Sequence, residues 1–299
     1  MTGPEQGFLL LTSQLGDLQR KPLTLAQFRI LATRVGMMEA PTDQRDLTAA
    51  DLIALGYGEE MVDHILHLLS EVDLLRYYLR QGARHGCVPL TRISEGYPAE
   101  VRRQLGLDSP GCLWYKGDPQ LLSTPKIALV GSRNLKRENT KFAREVGRQA
   151  ALQGYTLVSG NAVGADMEAQ LACLEAGGNV ISVVAYGLCE RREKERVLYL
   201  AEDGFDRPFS AQSALSRNRV IHCLGEKTFV AQASLEKGGT WDGTVRNLRF
   251  GWSPVFCYED TTRAMAELIQ MGAVPVKTEA LCDFAGLQEN ERFWTKLCE

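Results

Sequence analysis

The sequence predicts an α/β protein, a doubly wound and mostly parallel sheet preceded by a small all-α domain. Three observations carry that prediction. Apolar residues recur at helical spacing through the first 85 positions. The hydrophobic period changes abruptly after Pro125. From there, strand, helix, strand, helix and strand alternate within about 60 residues, the rhythm of a parallel sheet wound with helices.

The helical stretch, 1–85, shows Leu25, Phe28, Leu31 and Ala32 on one face, then Met61, Ile65, Leu68 and Leu69, then Val72, Leu75 and Leu79. Thr48-Ala-Ala-Asp51 has the spacing of a capping box. Ala54-Leu-Gly-Tyr-Gly58 followed by Val62 and Ile65 has the outline of a SAM or helix–hairpin–helix unit. Glu59 and Glu60 directly follow that hairpin and would repel phosphate, so a protein contact or a purely structural role is expected of it. Turn chemistry dominates 86–125, read as a linker leading into the core: Gly96-Tyr-Pro98, Asp108-Ser-Pro-Gly111, Gly117-Asp-Pro119 and Thr124-Pro125.

The core domain is expected over 126–299. Lys126-Ile-Ala-Leu-Val130 reads as a buried strand ending at Gly131, and Phe142, Val146 and Ala150 mark a helix to about Gln153. Tyr155-Thr-Leu-Val158 is the next strand, 166–176 a helix, and Val180-Ile-Ser-Val-Val184 the third strand. Thr228-Phe-Val-Ala231 and Pro254-Val-Phe-Cys257 are further strands, and 261–271 a helix. Ala273-Val-Pro-Val276 is expected at a sheet edge, since its proline cannot donate to a ladder.

Composition narrows the function classes. Hydrophobic residues make up 44% and charged residues 24% of the 299, which excludes disordered, fibrous and outright membrane classes. A formal net charge of -3 means that any polyanion site must be a local concentration of charge. The eight cysteines form no C-x-x-C pair, and His64 and His67 are the only close histidines, so neither a structural zinc nor any cofactor is expected. With no signal peptide and no long apolar run, the thiols read as reduced in a cytoplasm.

Ligands of an open parallel sheet bind beyond the carboxyl ends of its strands. The loops expected there are Val130-Gly-Ser-Arg-Asn134, Ser159-Gly-Asn-Ala-Val-Gly-Ala-Asp166 and Tyr186-Gly187. Small residues admit a phosphate to the backbone, and Arg133 supplies a fork that matches its oxygens. No G-x-G-x-x-G or Walker A lysine pattern is present, which disfavours ordinary NAD binding and ATP hydrolysis. Positive charge gathers at Lys126, Arg133, Lys136, Arg137, Lys141, Arg144 and Arg148 against Glu138 and Glu145, partly as a solvated helix face. Two further groups are Arg217-Asn218-Arg219 and Lys237-Gly-Gly-Thr240. Convergence of Arg133, Arg217, Arg219 and Lys237 on one face would build a groove for phosphates. Trp241 and Trp252 could stack on bases, with core or edge packing the plainer reading.

Read together, these loops resemble the DprA/Smf family of DNA-processing proteins, whose core is an extended Rossmann fold. The resemblance runs over about 90–280, through Gly96-Tyr-Pro98, Leu113-Trp-Tyr-Lys-Gly-Asp118, Ile127-Ala-Leu-Val-Gly-Ser-Arg-Asn134, Leu157-Val-Ser-Gly-Asn-Ala-Val-Gly-Ala-Asp166, Ala172-Cys-Leu-Glu-Ala-Gly-Gly178 and Ser216-Arg-Asn-Arg-Val-Ile221. It implies a non-catalytic protein that binds single-stranded DNA without sequence preference, dimerises, and delivers the strand to a RecA-type recombinase during DNA uptake or recombination. By position, Gly131, Ser132, Arg133 and Asn134 with Ser159 and Gly160 would line a phosphate pocket, and Arg217, Asn218, Arg219 and Lys237 would add a second basic wall. The chain departs from the family pattern at Val163 (usually Arg), Gln170 (usually His), Gln232 (usually an acid) and Lys237-Gly-Gly-Thr-Trp-Asp-Gly-Thr244. The family's trailing winged-helix domain is not expected here. These departures leave transformation, genome maintenance and phage defence open as roles.

Two other classes fit the same loops. A phosphoribohydrolase-like enzyme would need a carboxylate near Gly238-Gly-Thr-Trp-Asp-Gly-Thr244, where Arg246-Asn247 replaces the required acid and Asp242 or Asp166 would have to serve. A nucleotide sensor would need the phosphate cradle alone.

Overall fold

The structure, a computed structural model, describes residues 1–38, 46–202 and 204–289. Cys298 lies outside those residues. The described chain divides into two compact units, one of Met1–Tyr97 with Pro110–Leu113, the other of Pro98–Ser109 with the chain from Trp114 onward.

The first unit holds helices α1 (Gly3–Thr12), α2 (Leu25–Gly36), α3 (Ala49–Ala54), α4 (Glu59–Ser70) and α5 (Val72–Arg84), then strand β1 (Val88–Thr91). Capping boxes start three of the helices: Thr2 with Glu5, Thr24 with Gln27, and Thr48 with Asp51. Each satisfies amide donors that a helix start leaves unpaired. Leu11, Leu23, Leu31, Leu52, Val62, Ile65 and Leu68 close the apolar core. The turn between α3 and α4 takes Gly56 to a φ of +82°. It is held by Arg34, whose Nη1 donates to the Leu55 carbonyl at 3.0 Å and whose guanidinium lies over the Tyr57 ring. Glu59 and Glu60 occupy the first turn of α4, where the helix dipole favours acids.

The second unit begins with α6 (Ala99–Leu105), and strand β2 (Cys112–Lys116) starts in the first unit and ends here. The stretch 86–125, read as a linker, therefore contains β1, α6, β2 and short 3₁₀ turns at 106–108 and 119–123. There follow β3 (Lys126–Val130), α7 (Arg137–Leu152), β4 (Thr156–Ser159), α8 (Ala165–Glu175), β5 (Val180–Val184) and β6 (Val197–Glu202). The chain continues with α9 (Ala211–Leu224), β7 (Thr228–Val230), α10 (Gly238–Phe250), β8 (Val255–Tyr258), α11 (Arg263–Gln270) and β9 (Val274–Val276). β6, α9 and α10 were not expected from the sequence.

The strands lie in the order β2-β6-β5-β4-β3-β7-β8-β9. Every pairing from β6 to β9 is parallel. Chain order moves outward from β3 through β4 and β5 to β6, then returns to place β7 on the other side of β3 and moves outward again. Crossing directions therefore reverse between β3 and β7, and at such a point the loops beyond the strand ends diverge and leave a crevice. β9, with Pro275, forms the edge of the sheet. Strands β3, β4, β5 and β7 are buried along their whole length, as a sheet covered on both faces requires. Lys126 is buried at the opposite end of β3 from the crevice, its Nζ on the carbonyls of Leu122 and Thr124 and 3.0 Å from Glu100. It contributes nothing to a charge cluster around the first loop.

Candidate functional site

The crevice between the ends of β3 and β7 is a cavity of about 500 Å³. One wall is the loop after β3, with Gly131, Ser132, Arg133 and Asn134; another is α9, with Arg217 and Asn218; the third is Lys237-Gly-Gly-Thr240 at the start of α10. These stretches lie far apart in sequence, and the chain reversal at β3/β7 brings them together.

The two loops are knitted by Gln232. The Ser132 amide donates to the Gln232 carbonyl at 2.9 Å, the Lys136 amide donates to Gln232 Oε1 at 2.9 Å, and Gln232 Nε2 donates to the Asn134 carbonyl at 3.0 Å. An amide can donate and accept at once, which a carboxylate at this position could not do. Gly164 enters α8 at a φ of +94°, and a side chain there would strike the carbonyls of Ser132 and Arg133. The glycine lets the β4 loop close against the β3 loop.

Arg217 is the centre of the site. Its side chain lies across Gly160, where any Cβ would occupy the place of the guanidinium. Nη1 donates to the Val183 carbonyl at 3.0 Å, Nη2 stands 3.9 Å from Asp166 Oδ2, and Nε has no hydrogen-bond partner among the described residues. Asp166 accepts from the amides of Gly160 at 3.1 Å and Ala162 at 3.2 Å. Burial pushes the Asp166 carboxyl above its ordinary range, against the pull of Arg217, the two amides and Arg133. Burial likewise pushes the Arg217 guanidinium below its ordinary range, with Asp166 opposing. At 3.9 Å, one buried carboxylate compensates this cation incompletely, and a nearby anion would relieve it.

Arg133 and Lys237 are exposed on the walls, and among the described residues neither has an acid within ion-pair distance. The N-terminus of α10 adds its unpaired amides at Gly238, Gly239 and Thr240, with no acid in the first turn. Asn218 Nδ2 donates to the Gly239 carbonyl at 2.9 Å and ties α9 to that terminus. Three cations and a helix start thus face one cavity whose single acid among the described residues is buried. Phe209 and Leu215, both exposed, supply an apolar side that sequence reasoning missed.

Three expected residues do not line the cavity. Ser159 is fully buried and receives Gln170 Nε2 at 2.6 Å, so Gln170 serves here as a donor within the core. Gly160 acts beneath Arg217 instead of on the surface. Arg219, expected beside Arg217, points elsewhere: Nη2 donates to Glu202 Oε2 at 3.1 Å and Nη1 to the Asp108 carbonyl at 2.5 Å. Positions 217 and 219 lie on a helix, and residues two apart do not share a face. Of the remaining cations of the first cluster, three on α7 pair with acids: Lys141 with Glu138, Arg144 with Glu168 and Glu175, and Arg148 with Glu145. Lys136 and Arg137, at the start of that helix, have no acid within ion-pair distance among the described residues and do not line the cavity. Trp252 is buried and stacks on Phe250.

A sequence model described as DNA recombination-mediator protein A matches residues 89–284. The chain belongs to that family. It is 34% identical to the DNA processing protein DprA of Streptococcus pneumoniae over 142 residues, which is 44% of this chain and 50% of that protein. The chain thus spans about half the length of this curated relative. The X-ray structure of DprA from Streptococcus pneumoniae superposes with a TM-score of 0.73 at 23% identity, over 96% of this chain and 99% of that one. DprA from Helicobacter pylori, solved for its single-stranded DNA binding mode, gives a TM-score of 0.55 at 22% identity, over 66% and 94%. At those identities the two structures establish the fold: α/β and Rossmann-like.

Proposed function

We propose that the crevice binds the sugar–phosphate backbone of single-stranded DNA with little regard to base sequence, and that the protein is a recombination mediator without catalytic activity. One observation carries this reading: Arg133, Arg217 and Lys237 face one cavity at the reversal point of the sheet, beside the amides of the α10 start. Such a site offers a phosphate several donors in fixed positions and offers a base edge few directional partners. Phe209 and Leu215 add an apolar surface that any base can lie on. Family membership extends the proposal to a homodimer that hands its strand to a RecA-type recombinase in the cytoplasm. Among the described residues, no helix is long and apolar enough to cross a membrane.

The hydrolase reading finds less support. Asp242 is paired with Arg246 at 3.1 Å, and Asp166 is buried behind Arg217. A general acid or base must reach the bond it acts on.

The deciding experiment titrates the protein with short single strands, duplex DNA and free nucleotides at two ionic strengths. The proposal predicts that single strands bind most tightly, with affinities that fall steeply with salt and vary little between sequences. It also predicts that Arg133→Ala weakens all single strands alike. Tighter binding of a free nucleotide than of any strand would favour a sensor, and release of free base would favour the hydrolase.

A further inference from the structure

A second cavity, of about 280 Å³, opens on the other side of Arg217, beyond the carboxyl ends of β5 and β6. Its walls bring together Arg207, Arg217 and the start of α9, where the Ser210 and Ser213 hydroxyls lie 2.7 Å apart, one donating to the other and the second O–H left to donate into the cavity. The position of Arg207 is fixed from outside the helix, because the Gly187 amide after β5 donates to the Arg207 carbonyl at 2.6 Å. α9 is fourteen residues long with no acid in its first turn, and Ser210 caps it by accepting from the Ser213 amide at 2.9 Å. Arg217, with a side chain only 10% exposed, forms part of the wall, its Nε without a hydrogen-bond partner among the described residues. The acid on the wall, Glu202, already receives Ser216 Oγ and Arg219 Nη2, each at 3.1 Å, so its charge is answered from behind. Arg219, absent from the first cavity, thereby offsets the charge of Glu202 at the second.

We propose that this second cavity is a phosphate subsite, and that a strand seated in the β3/β7 crevice passes over Arg217 and places another phosphate against Arg207 and the α9 start. The inference rests on the single-strand reading above. A helix start with two hydroxyls and two guanidinium groups matches a phosphate and has no use for a neutral ligand. Arg217, shared by the two cavities, would contact the backbone between the two phosphates.

Two variants test it on the full chain, with oligo-dT strands titrated over a series of salt concentrations. Arg207→Ala should lower affinity severalfold and flatten the salt slope by about 0.7, the increment for one phosphate on a single strand. Ser210→Asp keeps the helix cap, places a negative charge in the cavity, and should weaken binding at least as much. Thermal unfolding of each variant separates a lost subsite from a lost fold. If both variants bind like the parent while Arg133→Ala binds weakly, the second subsite is refuted and the crevice stands. If Arg133→Ala also binds like the parent, the crevice reading itself has failed. A parallel titration with a mononucleotide and with inorganic phosphate identifies the source of the anion. Loss of mononucleotide binding in Arg207→Ala with unchanged strand binding would overturn the assignment to a strand.

Discussion

Helix α7 and the β3/β7 crevice are both rich in cations, but the two regions use them differently. On α7, Lys141, Arg144 and Arg148 each have an acid within 3.1 Å, so most of the cations on its exposed face are answered. In the crevice, Arg133 and Lys237 have no acid within ion-pair distance among the described residues, and Arg217 has only a buried carboxylate at 3.9 Å. A run of positive residues in a sequence says little about a polyanion site. What matters is whether the fold leaves the charges unanswered and turned toward one cavity.

The largest way to break the comparison is at Arg217. Arg217→Ala takes the nearest cation from the buried Asp166 and should cost about 3–5 kcal/mol of stability, whereas Arg148→Ala, at an exposed surface pair, should leave stability nearly unchanged. Urea denaturation of the two variants measures both. Pairing Arg217→Ala with Asp166→Asn should restore much of the loss, because no unpaired charge then remains inside. Gly160→Ala should resemble Arg217→Ala, since the added methyl takes the place of the guanidinium.

α9 also carries His222, which shows the opposite treatment of a buried ionisable group. It is fully buried, and desolvation pulls its pKa from 6.5 down to about 3. The unfolded chain therefore binds a proton that the folded chain refuses, and stability falls as pH drops below about 6.5 toward 3. Between pH 7 and pH 5 this one group should remove about 2 kcal/mol, and His222→Gln should lack that part of the pH dependence. Equal slopes for variant and parent would mean that the imidazole is not held neutral by the core.

A smaller effect sharpens the contrast between the two basic regions. Lys237→Glu and Arg148→Glu change the net charge equally. Only the first should weaken single-strand binding, by about tenfold or more, because a local charge is felt within roughly 10 Å at ordinary salt. Equal weakening by both would mean that the overall field binds DNA and the crevice does not.

Much of the sheet was legible in the sequence. Lys126–Val130 and Val180–Val184 coincide with β3 and β5, because short, mostly apolar and β-branched runs closed by a small residue suit a strand buried on both faces. β6 was not expected, although Val197-Leu-Tyr-Leu-Ala201 is just such a run. The loops carrying Arg133 and Lys237 were readable from residue type and order. The place of Arg219 was not, because α9 had gone unrecognised. Ser210, three residues before an amide it caps, was the available signal, and a helix through 217 and 219 would have sent the two arginines to different faces. The contribution of Phe209 lay beyond any local pattern, since its neighbours across the cavity come from other parts of the chain.

The central claim is that a shared crevice grips a sugar–phosphate chain through cations left unpaired by the fold. The most direct test compares log affinity against log salt for oligo-dT binding to the parent and to the Arg133→Ala/Lys237→Ala double variant. The account predicts a slope shallower by about 1.4 in the variant, two phosphate contacts at about 0.7 each, with the same change on a strand of mixed sequence. Superimposable slopes for parent and variant would contradict it.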